Sequence, residues 1–238
     1  MDLSCEERLS DSPFVERVWR SQGEQAGAFI SVANSHWSMV VSKIQGELYF
    51  TVRGPETRAT PAYHPEDAEF FGIEFKPGTL MPSLPAAAIM DRHDANLPSA
   101  SSHSFWLNGA AWPFPNYENA ETFVDWLVSD NLLTLDPVVG VVLQGQPLKS
   151  SLRTVQRRFL QATGVTYSTV RHIERARYAT SLLKQGVSIL DTVEELGYAD
   201  QPHLTRSLKQ FIGQTPAQIA NTDRKERLSF LFKTTVFV

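Results

Sequence analysis

The chain has 238 residues, 42% of them hydrophobic and 20% charged, which excludes collagen-like and disordered chains and leaves room for one large domain or two modest ones. The single cysteine, Cys5, excludes an intramolecular disulfide framework and a multi-cysteine zinc site. The net charge of −4 hides two halves of opposite sign: residues 1–144 carry 8 Lys and Arg against 19 Asp and Glu, and residues 145–238 carry 14 against 7. Such asymmetry marks a polyanion-binding segment joined to something else. The longest apolar runs, such as 138–143, fall far short of the roughly 20 residues that cross a bilayer. The acidic start, Met1 to Glu7, has no apolar core of a secretory signal, so a cytoplasmic chain without membrane association is expected.

Up to about residue 110 the sequence predicts strands and turns. The segments 28–33, 37–44, 47–52, 69–75 and 104–107 are rich in β-branched and aromatic residues, and Gly46, Gly54-Pro55, Pro61, Pro65 and Pro77-Gly78 punctuate them. Short strands at this spacing predict a small barrel or sandwich. The aromatic residues Trp37, Tyr49, Phe50, Phe70, Phe71, Phe75, Phe105 and Trp106 are candidates for an effector pocket as well as for a core. Arg53 and Arg58 are candidates to orient an acidic effector. His36, His64, His93 and His103 lack the close spacing of convergent metal ligands, so no metal site and no cofactor are expected.

After about residue 118 apolar positions recur at gaps of three and four, the period of helices. A short helix over 138–143 is followed by a second one capped by Ser151, with Leu152, Val155 and Phe159 inward and Gly164 as its stop. Arg153, Thr154, Gln156, Arg157 and Arg158 are left largely outward. From Thr166 to Gln185, Val170, Ile173, Ala176, Ala179 and Leu183 predict one long amphipathic helix. Ser188 with Asp191 then opens another short helix, closed by Gly197. Asp200 or Gln201 caps the next, with Pro202 in its first turn and Leu204, Leu208 and Phe211 or Ile212 buried. Gln201, His203, Thr205, Arg206 and Lys209 face outward. Gly213 ends it, and Thr215-Pro216 opens a last short helix.

A short helix, a tight turn and a second helix with a polar and basic outer face describe a helix-turn-helix, and the pattern occurs twice. Arg and Gln match guanine and adenine edges in the major groove, and Lys and Thr hold phosphates. A rigid connector would set the two recognition helices about one DNA turn apart, roughly 34 Å.

The stretch from Gly197 to Lys209, with Gly213-Gln214-Thr215-Pro216, resembles the second helix-turn-helix of the AraC/XylS family of bacterial transcription regulators. Residues 151–159 resemble that family's first recognition helix, and Ile173-Glu174-Arg175-Ala176-Arg177 its connector. Gly72 to Gly78 is similar to the β-rich, cupin-like sensing domains of part of the family. The resemblance implies an α+β chain with a β-rich sensing or dimerisation domain over 1–117, a double helix-turn-helix domain over 118–227 and an apolar tail over 228–238. It implies base contacts from Arg153, Gln156 and Arg157 in the first motif and from Gln201, Thr205 and Arg206 in the second, with Arg158 and Lys209 on phosphates and Thr154 and His203 beside them. The expected function is a sequence-specific, non-enzymatic regulator of transcription. Its partners are double-stranded DNA, a small-molecule effector, RNA polymerase and a second copy of the chain. Two departures from the family pattern stand out: Pro202 replaces a usually polar residue, and residues 144–150 lengthen the first turn. Two other readings stay open on the residues alone: a metal-dependent β-barrel enzyme joined to a DNA-binding module, and an N-terminal half that serves only protein contacts. The tail from Ser229 to Val238 is expected to dock as a strand.

Overall fold

The computed structural model describes residues 4–91 and 93–221. The proposed C-terminal strand lies outside the described residues. In chain order the strands are β1 (Ser4–Leu9), β2 (Val15–Gly23), β3 (Gly27–Ser31), β4 (Ser38–Ile44), β5 (Glu47–Arg53), β6 (Thr60–His64), β7 (Ala68–Phe75), β8 (Thr79–Leu80), β9 (Ala95–Leu97), β10 (Ser99–Ser101), β11 (Ser104–Leu107), β12 (Ala110–Pro113) and β13 (Thr134–Leu135). The helices are α1 (Ala120–Ser129), α2 (Pro137–Leu143), α3 (Leu152–Thr163), α4 (Tyr167–Lys184), α5 (Ile189–Glu195), α6 (Gln201–Phe211) and α7 (Pro216–Ala220). A β-rich N-terminal region followed by a helical region is the expected α+β class. No described helix is long and apolar enough to cross a membrane.

The contacts divide the chain into two compact units that alternate along the sequence. The first holds, among the described residues, 4–27, His36–Pro55 and His64–Thr166. The second holds, among the described residues, Ala28–Ser35, Glu56–Tyr63 and 167–221.

In the first unit a six-stranded antiparallel sheet runs in the order β1-β2-β7-β4-β5-β9. Its apolar face meets the β10-β11-β12 sheet and α1 in one core, which joins Val18, Met39 and Ile73 from the large sheet to Phe105 and Trp112 from the small one and Phe123 and Leu127 from α1. Four of the eight aromatics that were candidates for a pocket, Trp37, Phe50, Phe75 and Phe105, are core instead. Phe50 stacks on Phe105 at 4.0 Å, and Trp37 stacks on Phe75 at 4.0 Å. Side chains of this size contribute most by staying out of water, and offset rings add a little more. One ion pair ties β1 to α1: Arg8 Nη2 donates to Glu121 Oε2 at 2.8 Å, and Ser10 donates to Glu121 Oε1 at 2.8 Å. These donors, the Arg8 guanidinium foremost, hold the Glu121 carboxyl down to about 2.

In the second unit α4, α6 and α7 close on a core of Ile173, Ala176, Ala179, Leu183, Leu204, Leu208, Ile212 and Ile219. Val32 and Ala33, from the N-terminal half of the sequence, belong to the same core. They arrive with β3 and β6, which pair as a two-stranded sheet, and with a bridge between Asn34 and Glu56.

Candidate nucleic-acid interface

The first motif is α2, a turn over 144–151, and α3. Asp136 caps α2 by accepting from the Val138 amide at 2.9 Å. The same carboxylate receives Arg158 of α3 in a two-point pair, Nη2 to Oδ1 at 2.7 Å and Nε to Oδ2 at 3.1 Å. A bidentate guanidinium–carboxylate pair fixes orientation as well as distance, so it sets how α3 leaves α2. Asp136 is itself held by its amide, which donates to the Gly78 carbonyl at 2.8 Å. Gly78 closes the stretch 72–78 that the sequence analysis singled out. Ser151 caps α3 by accepting from the Thr154 amide at 3.3 Å.

Burial along α3 is uneven. Phe159, Ala162 and Thr163 are buried, all in its second half, where the helix rests on the 3-10 turn Ala86–Ala88 and on β8. Leu152, expected inward, is 72% exposed. It occupies the first helical position, before α3 reaches those supports. Arg153, Gln156 and Arg157 are exposed and Thr154 is partly so, so the amino-terminal half presents its polar side chains to solvent.

The second motif is α5, a turn over 196–200, and α6. Ser188 caps α5 by accepting from the Asp191 amide at 3.1 Å, and Asp200 caps α6 by accepting from the His203 amide at 2.6 Å. The His203 ring turns back, and its Nδ1 accepts from the Ala199 amide at 3.3 Å. Tyr198 in the turn is buried, shares a hydrogen bond with Ser207 of α6 at 3.2 Å, and lies under the Arg175 guanidinium of α4 at 4.3 Å from the ring centre. Turn, recognition helix and connector are thereby locked together. Gln201, Arg206 and Lys209 are exposed, and His203 and Thr205 partly exposed. The Thr205 hydroxyl donates within its own helix, to the Gln201 carbonyl at 2.9 Å. Burial first, then the positive neighbours Arg175 and His203, hold the His172 imidazole below its usual range, a sign of a crowded cationic surface.

The exposed cations divide by partner. Arg158 is committed to Asp136, whereas Arg153, Arg157, Arg206 and Lys209 have no ion pair among the described residues. An unpaired cation loses no existing contact when it meets a phosphate or a base edge.

Residues 146–222 match the family model described as "Helix-turn-helix domain". This segment is an AraC-type helix-turn-helix domain. Its relatives include the HTH-type transcriptional regulator RipA of Corynebacterium glutamicum, 39% identical over 67 residues, which are 28% of this chain and 20% of that protein. They also include RipA of Corynebacterium diphtheriae, 34% identical over 71 residues, 30% of this chain and 21% of that protein. The chain therefore spans about a fifth of the length of the curated relatives it matches. No solved structure matches it. The AraC-type domain begins in the first unit, with α3, and continues in the second, with α4 to α7.

The first unit also carries a groove of about 590 Å³. Ser21, Val41, Leu48, Phe71, Phe114 and Tyr117 are among the residues that line it. Arg20 and Lys43 stand beside it, each paired with a carboxylate, Glu6 and Glu69 respectively. Of the aromatics expected at a pocket, Phe70 and Phe71 reach it. Arg53 is paired with Asp94, Arg58 is exposed, and neither lines the groove. Among the described residues no three His, Cys, Asp or Glu side chains are grouped as metal ligands.

The sequence reading missed two features here. One is the Asp136–Arg158 pair. The other is Arg177, which is 2% exposed and donates to Asn34 Oδ1 at 3.2 Å. A signal for the second was present: Arg177 lies four residues after Ile173, on the apolar stripe of α4, where a charge needs a buried partner.

Proposed function

We propose that the chain is a sequence-specific DNA-binding transcription regulator that reads two successive major grooves with α3 and α6. The observation that carries this reading is the pair of capped recognition helices, each presenting exposed polar and cationic side chains, inside an AraC-type domain. Arg153, Gln156 and Arg157 of α3 and Gln201, Thr205 and Arg206 of α6 read base edges. Lys209 holds phosphate, and Thr154 and His203 contact the backbone beside it. Arg158, placed on phosphate by the sequence reading, acts mainly by fixing α3 to α2. The excess of basic residues after residue 144 supplies salt-dependent attraction. The mechanism is non-covalent and needs no cofactor.

The N-terminal β-rich region binds a small-molecule effector in the 590 Å³ groove. Its volume lies in the range of ligand sites, and its mixture of apolar and charged lining residues suits an amphipathic molecule. An effector there alters DNA binding only to the extent that it binds the two states of the regulator unequally. RNA polymerase and a second copy of the chain are the protein partners of this reading.

The test is selection of genomic DNA fragments by the full-length chain near physiological salt, followed by salt titration of the best binder. A shared motif of about two helical turns, with affinity falling steeply as salt rises, is the expected result. Failure to enrich any motif, with and without metabolite extract, would overturn the reading.

A further inference from the structure

The carboxyl end of a helix leaves its last carbonyls without partners inside the helix. In α6 two of these are capped by chain from the far end of the sequence. The Ala33 amide donates to the Phe211 carbonyl at 2.7 Å, and the Ala59 amide donates to the Gln210 carbonyl at 2.8 Å. The two donors lie on segments that hold each other: Asn34 and Glu56 exchange both backbone hydrogen bonds, at 2.9 and 2.8 Å, and Ser31 donates to the Glu56 carboxylate at 2.8 Å. Asn34 accepts from the buried Arg177 of α4, and Ser35 donates to Glu174, three residues before Arg177 on the same helix, at 3.4 Å. The seam is tight. A Cβ at Gly213, the left-handed residue that ends α6, would lie 2.9 Å from Ile30 and 3.3 Å from Ala59. Val32 and Ala33 complete the apolar core beneath.

We infer that residues 28–35 and 56–63 form a clamp that positions the second recognition helix, so that the unit holding α6 is discontinuous in sequence and includes part of the N-terminal region. The chain runs from 28–35 into β4 and from β5 into 56–63, and β4 and β5 pair with Ser38 facing Arg53. The clamp is thus continuous, by the chain itself, with two strands of the six-stranded sheet. Asn34 is its key positioning residue, because it touches both the opposite strand and the connector helix. The idea rests on the DNA-binding reading only for its functional consequence, not for the clamp itself.

The test compares the full-length chain with Asn34→Ala by amide hydrogen exchange without DNA. Exchange across residues 204–219 is expected to speed up at least tenfold, while residues 39–43 and 71–75 of the six-stranded sheet stay within about twofold. Unchanged exchange in α6, or acceleration spread evenly over both regions, would overturn the clamp. Should Asn34→Ala fail to fold, Ser31→Ala, which removes one hydroxyl and leaves the backbone pairing, is read by the same comparison. A second arm measures binding to the selected DNA. The variant should bind about tenfold more weakly, and base-pair substitutions in one half of the site should lose most of their effect while those in the other half keep it. Since exchange is read without DNA, a failure of DNA binding and a failure of the clamp give different results.

Discussion

The two helix-turn-helix motifs follow one plan and are finished differently. In the first, α3 is fixed at its middle by the Arg158–Asp136 pair and seated at its end on the 3-10 turn Ala86–Ala88. In the second, α6 is fixed through the Tyr198–Ser207 contact and seated at its end on the clamp from β3 and β6. Each recognition helix stops at a left-handed glycine that has no room for a side chain: a Cβ on Gly164 would lie 3.0 Å from the Ala86 backbone, as one on Gly213 would crowd Ile30. In both motifs the helix end leans on a segment from the N-terminal half, and the free amino-terminal half carries the polar residues. The difference teaches that the local grammar of a helix-turn-helix is set by its caps, whereas its support is drawn from whatever the rest of the chain places beneath it.

The comparison breaks most visibly if the units do not behave separately. Phe159→Ala should destabilise the first unit and Leu208→Ala the second, each by about 3–5 and 2–5 kcal/mol respectively, because both side chains fill closed cores. Amide exchange resolved by segment checks this. Coupled loss in both units from either change would contradict the division.

A smaller effect separates the paired arginine from its unpaired neighbour. Arg158→Ala should cost about 1 kcal/mol of stability, discounted because the pair is partly exposed. Arg157→Ala should leave stability within about 0.5 kcal/mol and lower the slope of log affinity against log salt by at most about one. Chemical denaturation and a salt titration of DNA binding distinguish the two. Equal stability losses would remove the structural role given to Arg158.

The smallest effect concerns the Arg8–Glu121 pair, present in the first unit. The Glu121 carboxyl is held at about 2, below its ordinary 4.5. A depressed carboxyl stabilises the folded state above the unfolded value and loses that contribution as the pH falls from about 4.5 towards 2. With both side chains about a third exposed, the contribution is about 1 kcal/mol. Glu121→Gln should therefore lower stability at pH 7 by about that amount and flatten the acid limb of the stability profile. An unchanged acid limb would show that the pair contributes nothing.

Much of this architecture was legible in the sequence, for physical reasons that can be named. Ser151, Ser188, Asp200 and Thr215 are caps because their side chains can accept the first orphan amides, and all four do so. The spacing of Val170, Ile173, Ala176, Ala179 and Leu183 fixes one helix face, and all five are buried. The strands at 38–44, 47–53 and 68–75 were readable from their β-branched and aromatic content. What was not legible depends on long-range pairing. No local pattern tells that 28–35 and 56–63 join helices more than a hundred residues away. Nor does it tell that the carboxylate of Asp136 serves a cap and an arginine at once. For the same reason exposed aromatics and core aromatics could not be separated: the neighbours Tyr49, exposed, and Phe50, buried, look alike until the sheet is assembled. Leu152 misled because helical periodicity ignores where a helix first meets its support.

The central claim is that the two recognition helices read separate halves of one DNA site. It is tested most directly by measuring Arg157→Ala and Arg206→Ala against every single base-pair change in the selected site. Each variant should lose about 1–3 kcal/mol of discrimination, at positions in its own half only, with the halves about one helical turn apart. Loss of discrimination at the same positions by both variants, or at none by either, would contradict the account.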